Sequence, residues 1–309
     1  MNYEWLQQLD NYITRNRYRL INSVLLYKDG ELVIERYYNR YNENSRNNIK
    51  SIWKSILSIC TGICIDKGLI QSIEQPISDF LPQFDGKNHR YHNLIRISHL
   101  LTMTSGIYWN GGIHYHCPML NGCMRSSDII GYIADVQVSH VPGTKYIYKE
   151  WDVMLLSAII SKATGMNTYE FCDKYLYQPL DIFSGHWWTS PCGLTYNIGI
   201  SEEVQALSDL SSKDLAKLGY LFLNEGMYND RQIVSKQYVK QAITPSSCNS
   251  KYGLMWWIED NTYGCRGYGG QEITVVPDDK IIYVMQATAT NSGKSYGDVY
   301  HYLRSVINV

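Results

Sequence analysis

Apolar positions along the chain follow two periods, and their order sets the first expectation of architecture. Residues 3–12 repeat apolar side chains at helical spacing, which predicts an amphipathic helix. Two β-rich runs, 23–27 and 32–37, flank Lys28-Asp29-Gly30. Asp-Gly between such runs predicts a hairpin, because both central residues of the tight turn need positive φ. A polar loop over 40–48 follows, then an apolar run over 51–67 that reads as a helix stopped by Gly68. From 71 to about 185 the pattern is helical and loop-like. Strand signals return over 264–277 and 280–288, joined at Pro277-Asp278-Asp279, and a final amphipathic helix covers about 296–307. Strands from both chain ends with a helical middle predict an α+β fold. Its antiparallel sheet (about 1–70 and 186–309) is flanked by helices, and a mostly helical lobe (about 71–185) is inserted as part of a single domain. A cleft between two such lobes is a usual place for a small ligand, and Ser51 falls at the lobe boundary.

Composition narrows the classes of function. With 18% charged residues and a formal net charge of −1, the chain has no electrostatic footprint for nucleic acid or an acidic membrane surface. Hydrophobic residues make up 45%, which argues against disorder. The longest apolar run, 56–70, is interrupted by Asp66 and Lys67, so no transmembrane segment is expected. No basic region followed by an apolar run opens the chain. Together with eight scattered cysteines, this predicts a cytoplasmic protein with reduced thiols.

The candidate chemistry lies at the start of the 51–67 helix. Ser51-Ile52-Trp53-Lys54 places a hydroxyl and an amine three residues apart, on one helix face, and it is the only S-x-x-K in the sequence. A serine hydroxyl is a weak nucleophile until a neighbour takes its proton, and a desolvated lysine beside a helix amino terminus suits that task. The plainer alternative is a capping serine next to a solvated lysine.

Further blocks decide between these readings. They are Ile97-Ser-His-Leu-Leu-Thr-Met-Thr-Ser-Gly106, Pro142-Gly-Thr-Lys-Tyr-Ile-Tyr148 leading into Leu155-Leu-Ser-Ala-Ile-Ile160, Lys213-Asp-Leu-Ala-Lys-Leu-Gly219, and Tyr252-Gly253 through Trp256-Trp257 to Gly267-Tyr-Gly-Gly-Gln271. In this order the chain resembles the β-lactamase-like serine hydrolases: class C β-lactamases, penicillin-binding carboxypeptidases, esterases and 6-aminohexanoate-dimer hydrolases. The Trp-Trp and Asp-Leu-Ala-Lys blocks are most similar to the dimer-hydrolase and esterase branch. The resemblance implies a β-lactamase/transpeptidase-like fold, with Ser51 as acyl-accepting nucleophile, Lys54 as its helical partner and Tyr148 as proton shuttle. A phenol of ordinary pKa ~10 needs a nearby cation to act as base at neutral pH, and Lys54 is placed to be that cation. The resemblance further implies that Tyr268-Gly269-Gly270 replaces the K-T-G or H-x-G strand, where glycines let a substrate backbone approach. Backbone N–H groups of Ser51 and Gln271 would form the oxyanion hole.

Two departures bear on substrate. The family's Y-x-N reads Tyr148-Lys149-Glu150 here, and a carboxylate donates no amide hydrogen. Glu150 is therefore expected to pair with Lys54, to recognise a cationic substrate or to face away. Tyr268 stands where Lys or His meets a β-lactam carboxylate, so weak or absent β-lactamase activity is expected, with Arg266 the nearest substitute cation. His114, His116, Cys117 and Cys123 cluster without a strong zinc spacing and are expected to be loop residues, with no metal or organic cofactor. His99 and the tryptophans are expected to pack the core and cleft wall. The sequence thus predicts a serine hydrolase acting on a small amide, ester or short peptide. A D-alanyl carboxypeptidase or aminopeptidase, and a non-catalytic sensor, stand as alternatives; oligomeric state is not encoded in any motif.

Overall fold

Asp29 and Gly30 adopt φ of 50° and 86°, and the turn they close joins the first two strands of a six-stranded sheet. The computed structural model describes residues 3–87, 89–111, 117–185, 187–196, 209–290 and 294–307. In chain order the helices are α1 (Tyr3–Ile13), α2 (Ile52–Asp66), α3 (Ile97–Leu101), α4 (Pro118–Met124), α5 (Ile129–Ala134), α6 (Glu150–Thr164), α7 (Thr168–Cys172), α8 (Ser212–Leu223), α9 (Lys236–Ala242) and α10 (Gly297–Ile307). The strands are β1 (Ile21–Lys28), β2 (Glu31–Tyr37), β3 (Arg46–Asn48), β4 (Trp188–Thr189), β5 (Thr195–Tyr196), β6 (Asp209–Ser211), β7 (Met227–Tyr228), β8 (Arg231–Gln232), β9 (Trp257–Glu259), β10 (Thr262–Gly267), β11 (Gln271–Val276) and β12 (Ile281–Ala287).

The main sheet runs β2-β1-β12-β11-β10-β9 with every pairing antiparallel, so strands from the two chain ends meet at β1 and β12. Side chains alternate between its faces. Leu25, Tyr263, Cys265, Ile273 and Val284 join one core with α2, α6, α8 and the helical middle. Val24, Leu26, Val276, Tyr283 and Met285 join a second core under α1 and α10. The α+β expectation, with a helical middle inserted in a sheet from both ends, is what the molecule displays.

One expected strand differs. The 264–277 run is two strands, because Gly269 and Gly270, at φ of 79° and 95°, turn the chain between β10 and β11. Tyr268-Gly269-Gly270 is thus a hairpin turn rather than a strand, and a run of β-favouring residues on both sides concealed it. All eight cysteines are unbridged. Among the described residues, no helix is long and apolar enough to cross a membrane.

Candidate active site

Ser51 occupies the residue just ahead of α2, and Tyr148 lies two residues ahead of α6. These two helices pack against each other, which brings both amino termini to one place. Lys50, immediately before Ser51, is held at φ 50°, with its N–H donating to Asn48 Oδ1 at 2.9 Å. A left-handed, non-glycine residue at the entrance to a helix is an unusual local conformation. It turns the chain sharply from β3 into α2 and leaves Ser51 half-buried, while Ile52 through Cys64 are buried without a break.

Lys54 Nζ donates to Ser51 Oγ at 3.2 Å and to Glu150 Oε1 at 2.7 Å, and it stands 5.1 Å from the centre of the Tyr148 ring. The Tyr148 hydroxyl feels both Ser51 and Lys54, each of which favours its ionised form. Side chains of Lys54 and Glu150 are only 3% and 7% exposed. Of the three placements expected for Glu150, the structure shows the first, a pair with Lys54. Burial by itself pushes the Lys54 ammonium down, but the adjacent Glu150 carboxylate, with Tyr148 next, outweighs it and holds the group above its ordinary value. Burial raises Tyr148 above its ordinary value; the Lys54 charge opposes this, Glu150 adds to it, and the polar groups of Ser51 and Lys54 beside it oppose it more weakly. The site therefore holds a charged ammonium between a hydroxyl, a phenol and a carboxylate.

The turn after β10 closes another wall. A Cβ at Gly267 would fall 2.5 Å from the Ile49 carbonyl oxygen and 3.1 Å from Lys50 Cβ, so only glycine lets β10 approach the approach to Ser51 this closely. Gln271 pairs across the hairpin with Gly267, and its side-chain amide donates to the Ala287 carbonyl at 2.5 Å. Tyr268, Gly269 and Gly270 form the turn between them. Arg266 is spoken for: its guanidinium meets Glu259 at 2.5 Å on the exposed edge.

Two features of the surroundings were not read from the sequence. Trp257 stacks near Tyr148 with ring centres 6.0 Å apart, and Tyr252 stands edge-on to both rings, at 6.2 Å from Tyr148 and 4.9 Å from Trp257. These rings hold the phenol in place from the segment that carries the Tyr-Gly…Trp-Trp block, whose position after α9 was the available signal. Between Tyr148 and Glu150, Lys149 turns the other way into the core. Its Nζ donates to Asp152 Oδ2 at 3.1 Å and Ser105 Oγ at 3.2 Å, and Ser105 Oγ donates to Asp152 Oδ1 at 2.5 Å. Nothing in the local sequence distinguishes a buried lysine from an exposed one.

The other candidates have structural settings. His99 Nδ1 accepts the Arg96 N–H at 3.2 Å and caps α3. Trp256 is buried and stacks on Phe222 with ring centres 3.7 Å apart. Cys117 caps α4, Cys123 is buried, and His114 and His116 lie outside the described residues.

The chain belongs to the β-lactamase family, whose model matches residues 17–307. The 6-aminohexanoate-dimer hydrolase of Paenarthrobacter ureafaciens is 21% identical over 79% of this chain and 65% of its own length. The octameric penicillin-binding protein homologue of Pyrococcus abyssi shares the fold with a TM-score of 0.75 at 19% identity, covering 100% of this chain and 77% of that one. EstCE1, described as a hydrolase with promiscuous acyltransferase activity, superimposes with a TM-score of 0.77 at 14% identity, covering 99% and 98%. A β-lactamase/transpeptidase-like fold accounts for the sheet, the helical insertion and the place of α2 between them.

Proposed function

We propose that this β-lactamase-family chain is a serine hydrolase that cleaves a small amide or ester through an acyl-Ser51 intermediate. One observation carries the reading: a buried ammonium, Lys54 Nζ, stands 3.2 Å from the Ser51 hydroxyl and 2.7 Å from the Glu150 carboxylate, under the Tyr148 ring. Lys54 is held charged, so it serves as an electrostatic anchor and Tyr148 is the base. In acylation Ser51 Oγ forms a bond to the substrate carbonyl carbon as its proton passes to Tyr148 in its phenolate form, the minor form near neutral pH. The tetrahedral oxyanion is received by the backbone N–H groups of Ser51 and Gln271. When the carbon–nitrogen or carbon–oxygen bond breaks, Tyr148 returns the proton to the departing amine or alcohol. Water then takes the place of Ser51 as nucleophile by the same steps. A substrate-bearing role for Glu150, Tyr268, Gly269 and Gly270 belongs to this reading, with Glu150 acting mainly through Lys54.

The name of one relative, a 6-aminohexanoate-dimer hydrolase, supports a small amide as substrate. Tyr268 is no cation and Arg266 is paired outward with Glu259, so a β-lactam carboxylate has no evident partner in this turn. A peptidase acting on D-alanyl or amino-terminal residues is a narrower form of the same chemistry. The Lys54–Glu150 pair also favours a second reading, a protein that is acylated and does not turn over. A fluorophosphonate probe tests the first step: it should label the wild type and leave Ser51→Ala unlabelled. A panel of p-nitrophenyl esters then separates the two readings. Steady release after the first equivalent supports the hydrolase, whereas a single-equivalent burst supports the sensor. Failure of the probe to label the wild type would overturn both. Nitrocefin hydrolysis is expected to be slow or absent.

A further inference from the structure

The face of the sheet turned away from Ser51 carries a groove of about 680 Å³ between β9, β10 and β11 on one side and α10 on the other. Neither Ser51, Lys54, Tyr148 nor Glu150 lines it; only the turn at 267–271 is shared with the site described above. Tyr263, Cys265, Ile273 and Val275 point into the core that holds α2, so Thr262, Arg266, Glu272 and Thr274 point into the groove. Glu272 is 7% exposed. Its Oε1 accepts a hydrogen bond from Thr274 Oγ1 at 2.8 Å, and among the described residues no cation reaches it within ion-pair distance. The cross-strand neighbour, Arg266, is drawn off to Glu259 at 2.5 Å, and Arg304 on α10 is drawn to Asp279 at 3.5 Å. Burial holds the Glu272 carboxyl above its ordinary value, against the Thr274 hydrogen bond and the more distant charges of Arg266 and His301, which favour its ionised form. Asp260 and Asp278 add exposed carboxylates at the rim, against Lys294 and His301.

A mostly buried carboxylate with one hydroxyl donor and no ion-pair partner among the described residues is a costly arrangement, and an incoming ammonium that donates to it lowers the cost. We propose that this groove is a binding site for a small aliphatic amine, with the ammonium on Glu272 and a second cationic end toward Asp260 and Asp278. The site is separate from Ser51 chemistry and stands or falls independently of the reading of it.

Titration calorimetry of the intact chain with putrescine is the direct test. Saturable one-to-one binding is expected, unchanged in Ser51→Ala and weakened at least ~10-fold in Glu272→Gln, since a charged hydrogen-bonded contact is removed. The uncharged diol of the same length should not bind. Absence of saturable binding by putrescine, equal affinity of the diol, or an unaltered affinity in a folded Glu272→Gln protein would each overturn the proposal. Should Glu272→Gln not fold, the diamine–diol comparison on the wild type decides alone.

Discussion

Two lysine–carboxylate pairs lie buried at the start of α6, and they differ in what else they touch. Lys149 and Asp152 are both 0% exposed, meet at 3.1 Å, and close on Ser105, so every contact returns to the protein interior. Lys54 and Glu150 meet at 2.7 Å with 3% and 7% exposure, and their third and fourth neighbours are a half-buried serine hydroxyl and a phenol. Both pairs cost desolvation, and a buried pair is weak evidence of stability by itself. The inward pair ties the Tyr148–Glu150 segment to the Ser105-Gly106 turn, and thereby positions its neighbours. The outward pair keeps a cation beside the Ser51 hydroxyl. Adjacent residues, 149 and 150, thus serve opposite ends: one anchors the segment and the other sets the charge state of the site.

Cutting the inward pair should give the larger effect. Lys149→Ala leaves Asp152 buried without its cation and is expected to lower stability by about 3–5 kcal/mol, measured by denaturant unfolding. Replacing both partners by apolar residues, Lys149→Met with Asp152→Leu, should recover most of that loss. No recovery would mean that the pair does more than satisfy itself. The outward pair should respond in activity. Glu150→Asn restores the family's amide and is expected to change the ranking of ester and amide substrates by ~10-fold while Ser51-dependent turnover persists. An unchanged ranking would show that residue 150 plays no part in specificity.

The smallest expected effect is a displaced pH limb. Tyr148 lies above its ordinary value, so the phenolate, and with it the acylation rate, should increase as pH rises from neutrality. Glu150 raises Tyr148, so removing its charge in Glu150→Gln should move that limb to lower pH, by an amount on the order of one pH unit for a close charge pair. A limb that stays in place, or moves upward, would break the assignment of Tyr148 as base. Stability should follow a different course. The Lys54 pKa is raised on folding, so its contribution is complete below the ordinary lysine value and fades only as pH climbs through the raised one. Near neutral pH, a change in rate with pH therefore reports Tyr148 rather than unfolding at Lys54.

Much of the fold was legible because each long element carries its own signal. The Asp29-Gly30 turn, the apolar run that became α2 and the final amphipathic helix lie within a residue or two of the observed bounds. The β10–β11 hairpin was missed because β-favouring residues continue on both sides of a three-residue turn, and only φ at Gly269 and Gly270 marks the reversal. At the site, the S-x-x-K spacing named Ser51 and Lys54 and the family resemblance named Tyr148, and the structure brings them together. Lys149, Asp152 and Ser105 were invisible, since their meaning lies in burial. Trp257 was seen only as cleft wall, whereas its ring also backs Tyr148.

Local pattern alone determined the long elements near the two chain ends, the helical register that stacks Lys54 over Ser51, and the short blocks on which the family resemblance rests, because each of those depends on residues near one another in sequence. Tertiary structure decided which of three fates befell the Glu150 carboxylate, which way Lys149 turned, and that Glu272 has no ion-pair partner among the described residues. Each of these is a choice of partner across the fold, set by desolvation and by which charges arrive within hydrogen-bonding distance, and neither quantity is written in the order of residues.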